Sequence, residues 1–143
     1  MSVDPYSIEV PQEVGRKAHR IGVGALLLLI VVQLDWYLRA APPQTIPVTW
    51  VLAFMLTPLL VPAIGVVLKR PKALFWAGFM SMLHFMHGVS EAWTVPEVRE
   101  LALLEVLFSS VLACAAGWHG MARRKAWRRL FSQALDRQSM GRD

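Results

Sequence analysis

Residues 48–68 read VTWVLAFMLTPLLVPAIGVVL, a run without one charged side chain. A helix rises about 1.5 Å per residue, so about 20 apolar residues cross a hydrocarbon layer about 30 Å thick. This run is long enough, and Lys69, Arg70 and Lys72 close it with a basic flank. It reads as a membrane span. Pro58 and Pro62 inside it remove two backbone donors, free the carbonyls of Phe54 and Pro58, and predict a bend at mid-membrane.

Working outward from this run, three further stretches of similar length and character mark spans at about residues 21–38, 73–93 and 101–121. They explain why 55% of the chain is hydrophobic and only 17% charged, against about a quarter charged in an ordinary soluble domain. The fold expected is all-α: an integral membrane four-helix bundle of two antiparallel hairpins, residues 21–121, between a tail at 1–20 and a basic tail at 122–143. Short loops and tails leave no room for a catalytic domain or a nucleotide-binding unit. The first tail carries Pro5 and Pro11 and reads as extended or irregular up to His19. Arg16, Lys17 and Arg20 before the first span also suit a signal peptide. However, Ala40 and Ala41 are preceded by Arg39 and followed by Pro42 and Pro43, which suits cleavage poorly, so a retained helix is expected.

The net charge of +5 raises the question of nucleic acid, and the placement of the charge answers it. Of the 15 Lys and Arg residues, all but Arg39 and Arg99 precede the first span, separate the second from the third, or follow the fourth. The opposite loops hold Asp35, Glu91, Glu97, Glu100 and Glu105 near them. This is the positive-inside pattern, with both termini cytoplasmic, and not a basic groove for phosphates. Tryptophan favours headgroup levels, and Trp36, Trp50 and Trp93 fall at outer ends of spans while Trp76 and Trp118 fall near inner ends. The single cysteine, Cys114, excludes an internal disulfide or a multi-cysteine zinc site.

After the fourth span come Arg123, Arg124, Lys125, Trp127, Arg128, Arg129, Leu130 and Phe131. Trp127, Leu130, Phe131 and Ala134 share a helical face, giving a basic amphipathic helix that suits the inner leaflet or a partner's groove. The same residues also read as a stop-transfer flank that continues as helix.

Ionisable groups at membrane depth each require a reason. In the third span Ala77, Ser81, His84, Gly88 and Glu91 form one stripe with His87 at its edge, opposite Phe75, Phe79, Met82 and Met86, which suit lipid. In the fourth, Glu105, Ser109, Ala113 and Gly117 recur every four residues as a small-residue ridge for close helix approach. Counted from a loop centre near Glu97, Glu105 lies level with residue 89, within reach of His87 or Glu91. Span one adds Gln33 and Asp35, the latter spaced to pair with Arg39. The cluster reads either as a tie between spans three and four or as a proton-handling or ligand-binding site. No metal is expected, because a convincing site would carry Glu-x-x-His on facing helices; His84 and His87, on one helix, cannot grip both faces of a haem.

His87-Gly88-Val89-Ser90-Glu91-Ala92-Trp93, Leu101-Ala102-Leu103-Leu104-Glu105-Val106, Trp36-Tyr37 and the Pro58 region together resemble a family of small proteobacterial membrane proteins, domain-of-unknown-function family 2069. The resemblance covers about residues 21–121 and implies four spans in a bacterial inner membrane, with no established activity. It points to His87, Gly88, Glu91, Trp93 and Glu105, and His84 stands where relatives more often carry an aromatic. It also implies a gene neighbourhood that includes a quinone-reducing flavoprotein. The expected function is a non-catalytic accessory, assembly or scaffolding subunit of a larger membrane complex, with the bilayer and other membrane subunits as partners. The alternative is a proton-handling or quinone-binding protein using the His/Glu cluster, or a small dimeric transporter. No resident cofactor is expected, though a quinone or other lipid-like ligand stays open.

Overall fold

The computed structural model describes residues 7–140; the ends of the two expected tails, 1–6 and 141–143, lie outside the described residues. Four helices carry the fold: α1 (Arg16–Asp35), α2 (Val48–Val67), α3 (Ala73–Thr94) and α4 (Arg99–Met140). A π-turn, Trp36–Ala40, extends α1, and a 3-10 turn, Pro96–Val98, leads into α4. No strand occurs among the described residues.

Two boundaries differ from the expectation. α1 begins at Arg16, inside the segment read as irregular, because the breaker Pro11 lies further upstream. The chain then swings into the helix through Gly15, whose φ of 78° is left-handed. The second difference is larger. Of the two readings of the basic segment after residue 121, a separate amphipathic helix and a flank that continues as helix, the second describes it: α4 runs unbroken for 42 residues. No proline follows Gly120, and Ala, Arg, Leu and Gln propagate a helix well. At about 1.5 Å per residue α4 is about twice as long as a hydrocarbon layer is thick. Its last turns therefore extend beyond the bundle as a continuation of the same helix.

α1 with its π-turn, α2, and α4 with its leading turn are long and apolar enough to span a membrane. α3 has the length, 22 residues, but His84, His87 and Glu91 dilute its apolar character. Its outward face is nevertheless apolar, with Phe75, Phe79, Met82 and Met86 all exposed. α2 continues through Pro58 and Pro62, and only Leu59 and Pro62 of its residues are buried.

Sequential helices are neighbours, and α4 closes the ring against α1, with α3 and α4 forming the most intimate pair. Both pairs run antiparallel. Along α3–α4, Gly88 faces Ala102, Ser81 faces Ser109 and Gly78 faces Ala116. Along α1–α4, Gly22 faces Ala115 and Gln33 faces Glu105. Toward the basic end, Leu26, Leu29, Leu59, Leu74, Ala77, Leu112 and Ala116 pack into one apolar layer. Toward the other end, Trp36, Tyr37, Val98 and Ala102 form a second. The polar site lies between them.

Candidate functional site

Glu105 is the centre of this site and is wholly buried. One carboxylate oxygen, Oε1, accepts from Gln33 Nε2 of α1 at 2.5 Å and from His84 Nδ1 of α3 at 3.0 Å. The other, Oε2, accepts from His87 Nδ1 of α3 at 2.9 Å. One acid from α4 is thus gripped by two other helices. The spacing explains the double contact from α3: residues three apart stand on one helical face, so both rings reach the same carboxylate. On its far side, His87 Nε2 meets the Tyr37 hydroxyl at 3.2 Å.

The partners fix a consistent set of protons. A carboxylate only accepts, so each histidine presents Nδ1–H to it. A neutral His87 then accepts at Nε2 from the Tyr37 hydroxyl, which gives a line of donors running Tyr37 to His87 to Glu105. Two buried atoms stand outside this line without a partner among the described residues, His84 Nε2 and Gln33 Oε1. In the same assignment both are acceptors, which a donor would satisfy and a further acceptor would not.

A family described as predicted membrane protein (DUF2069) matches residues 21–124. The chain belongs to this family. No curated protein and no solved structure matches it. The DUF2069 match takes in every residue of the site and stops at Arg124, so most of the projecting part of α4 falls outside it.

Within this DUF2069 chain the positions singled out by sequence fare differently. His84, His87 and Glu105 come together, whereas Glu91 forms no hydrogen bond or ion pair with Glu105 among the described residues. The reason is the centre of the hairpin. Gly88–Ala102 and Ser81–Ser109 are both centred on Val95, two residues before Glu97, because the 3-10 turn belongs to the α4 side. Glu105 is consequently level with residues 84–87. Gln33 and Tyr37 were not anticipated as partners. Their signal was available: a lone glutamine in an apolar span, with a tyrosine four residues on, at the depth of a buried acid.

Ala77, Ser81, Gly88 and Ser109 line the α3–α4 contact, and the Ser81 hydroxyl donates to the Gly78 and Ser109 carbonyls at 2.8 and 3.2 Å. Ala113 is half-buried, and Gly117 is exposed with nothing near it. A strict four-residue repeat explains this miss. From Glu105 to Gly117 the helix turns by about 120° beyond whole turns, whereas from Glu105 through Ser109 and Leu112 to Ala116 it turns by only about 20°. The true ridge is the second series, and Ala116 meets Gly78 so closely that a methyl group there would lie 2.5 Å from the Ala116 Cβ.

Trp50, Trp76, Trp93 and Trp118 are exposed, but Trp36, expected at an interface, is only 3% exposed. The π-turn accounts for it. A wider turn rotates less per residue, so the consecutive residues Trp36 and Tyr37 both face inward, with the Trp36 ring 5.4 Å from that of His87. Asp35 and Arg39 form the expected exposed pair at 3.2 Å. In the projecting part of α4, Arg124, Lys125, Arg128 and Arg129 are exposed, while Trp127, Leu130 and Phe131 are half-buried, with Trp127 and Phe131 stacked at 5.2 Å. Arg123 turns back to the carbonyls of Val10 and Pro11 at 3.4 and 3.5 Å. Among the described residues no group of three His, Cys, Asp or Glu side chains is arranged as metal ligands; both Nδ1 atoms of the histidine pair are already engaged on Glu105.

Proposed function

We propose that this protein is a four-span bundle of the bacterial inner membrane, both ends cytoplasmic, that takes up and releases a proton at Glu105 and its two histidines. It is a proton-handling protein and not an enzyme. The four-span topology rests on the apolar outward face of α3 and on the basic residues gathered at one end. The function rests on one observation: a wholly buried carboxylate hydrogen-bonded to two titratable rings, one of which leads on to Tyr37. As a simple tie the arrangement is an expensive choice, since a buried ionic cluster is often no more stable than apolar side chains of similar volume. Ionisable groups at membrane depth more often mark proton and substrate paths. The layer of Leu26, Leu29, Leu59 and Leu112 below the cluster argues for exchange with the Tyr37 side only, and against a through-path.

The test is infrared difference spectroscopy of the full chain in nanodiscs, stepped from about pH 8 to about pH 5, the range in which histidine ordinarily titrates. A protonated-carboxyl band should appear in the wild type and be missing in Glu105→Gln, and His87→Gln should shift the pH at which it appears. A folded wild type with no such band would reduce the cluster to a tie. A second reading, an accessory subunit, has its own support in the projecting part of α4, which offers a docking arm. Deleting residues 122–143 would then abolish co-purification of a partner without changing the infrared titration.

A further inference from the structure

At the basic end, away from Glu105, the helices leave an open cavity of about 690 Å³. Arg16 and Arg20 of α1, Lys69 and Arg70 of the α2–α3 turn and Arg123 of α4 line it, with Glu13 the only acid among the described residues that line it. None of these five cations has a carboxylate within 4.0 Å among the described residues. Three separate parts of the chain therefore bring uncompensated positive charge to one concave place. Its inner wall is apolar, formed by Val66 and by Leu74 of the bundle core.

The backbone supplies a second, independent observation. α2 ends with the Arg70 amide donating to the Gly65 carbonyl at 2.8 Å and the Lys69 amide to Val66 at 3.0 Å, the paired bonds of a Schellman cap. The position after the cap is left-handed and usually glycine; here it is Lys69, with φ 54°, the only non-glycine residue of positive φ among the described residues. The chain keeps a strained conformation where glycine would relieve it, and what it retains by doing so is a cation at the cavity rim.

We propose that this cavity binds the headgroup of an anionic phospholipid. The cations surround the phosphate, and the glycerol and first acyl carbons lie along Val66 and Leu74. The mixed lining favours a lipid over a small soluble anion, which has no use for an apolar wall, and the cavity sits where α1, α2 and α3 reach their basic ends. A phosphate-bearing group is the shared chemistry in either case.

Native mass spectrometry of the full chain in detergent, titrated with phosphatidylglycerol or with phosphatidylcholine, tests this. Phosphatidylglycerol should bind in one saturable step and phosphatidylcholine far more weakly. Arg20→Ala, Arg70→Ala and Lys69→Gly should each weaken phosphatidylglycerol binding about fivefold, as expected for one cation near an anionic surface. Arg128→Ala, on the projecting part of α4, should leave it unchanged. Lys69→Gly separates charge from fold, because it should lose lipid while unfolding at the same or a higher temperature. Equal binding of the two lipids, or an Arg128→Ala loss equal to that of Arg70→Ala, would overturn the site. Displacement of phosphatidylglycerol by millimolar inorganic phosphate would overturn the lipid assignment in favour of a soluble phosphate ligand. All three results are independent of whether Glu105 titrates.

Discussion

The two halves of the α3–α4 seam are held together in opposite ways. Toward the basic end, Gly78 and Ala77 meet Leu112 and Ala116 with nothing polar between them. Toward the other, His84 and His87 meet Glu105 with Gln33 of α1 joining in. Lipid tails are as apolar as leucine, so the first half gains mainly from close packing of small residues and little from exclusion of water. The second half gains directional bonds but must keep a carboxylate out of water. The first half needs small residues at the right rotation; the second needs particular atoms. That difference predicts how each half should respond to substitution.

The largest effect belongs to the polar half. Glu105→Ala removes the acceptor shared by Gln33, His84 and His87 and leaves two buried donors and one half-buried donor without a partner, at about 1 kcal/mol or more for each buried one, so about 2–3 kcal/mol in total. Unfolding of the full chain in detergent measures this. A loss under about 1 kcal/mol would show that the polar half contributes little to holding the seam, and would erase the contrast.

The next pair of substitutions sharpens it. Gly88 follows His87 on the polar half, and a methyl group on it would lie 2.9 Å from the Ala102 carbonyl oxygen and 3.2 Å from the Val106 amide nitrogen. These are backbone atoms of α4, so the helices must separate, and Gly88→Ala should cost about 2 kcal/mol. Gly117→Ala is the same change on the partner helix at an exposed position with nothing nearby. There it should stabilise α4, by up to about 1 kcal/mol, since alanine is the better helix former. Thermal unfolding of the two variants side by side should show opposite signs. Matching signs would mean that the close approach at Gly88 is relieved without cost.

Much of this was legible in the sequence, and the misses have definite geometric causes. The apolar runs read correctly as helices, three of them long and apolar enough to span a membrane, because a membrane helix must satisfy its own backbone, so length and hydropathy carry the message. The stripe Ala77, Ser81, His84, Gly88 read correctly because its alternating three- and four-residue steps follow the helix. Gly117 misread because a constant step of four drifts around it. Trp36 misread because a π-turn leaves no mark in local composition, and one such turn was enough to carry an expected interface residue into the interior. Of the two partners expected for Glu105, His87 is one, and Glu91 was named in place of a residue one turn earlier through a two-residue error in the centre of the hairpin, set by a 3-10 turn. The missed partners Gln33 and Tyr37 lie on a helix far away in sequence, where only the closing of α1 on α4 brings them in.

The smallest effect falls on the link between the buried centre and its edge. Tyr37→Phe removes the hydroxyl that meets His87 Nε2 and nothing else, leaving the ring in place against Trp36. Hydrogen bonds between membrane helices average about 0.6 kcal/mol, so the loss in stability should be of that size. The consequence for function should be disproportionate. If His87 is the exit for a proton on Glu105, removing its outer partner should slow or shift the appearance of the carboxyl band while the fold stays as it was. A stability loss comparable with that of Glu105→Ala would instead make Tyr37 part of the tie. The line from Tyr37 to Glu105 would then be a brace with its outer end on α1, and its proton-like order a by-product of joining helices.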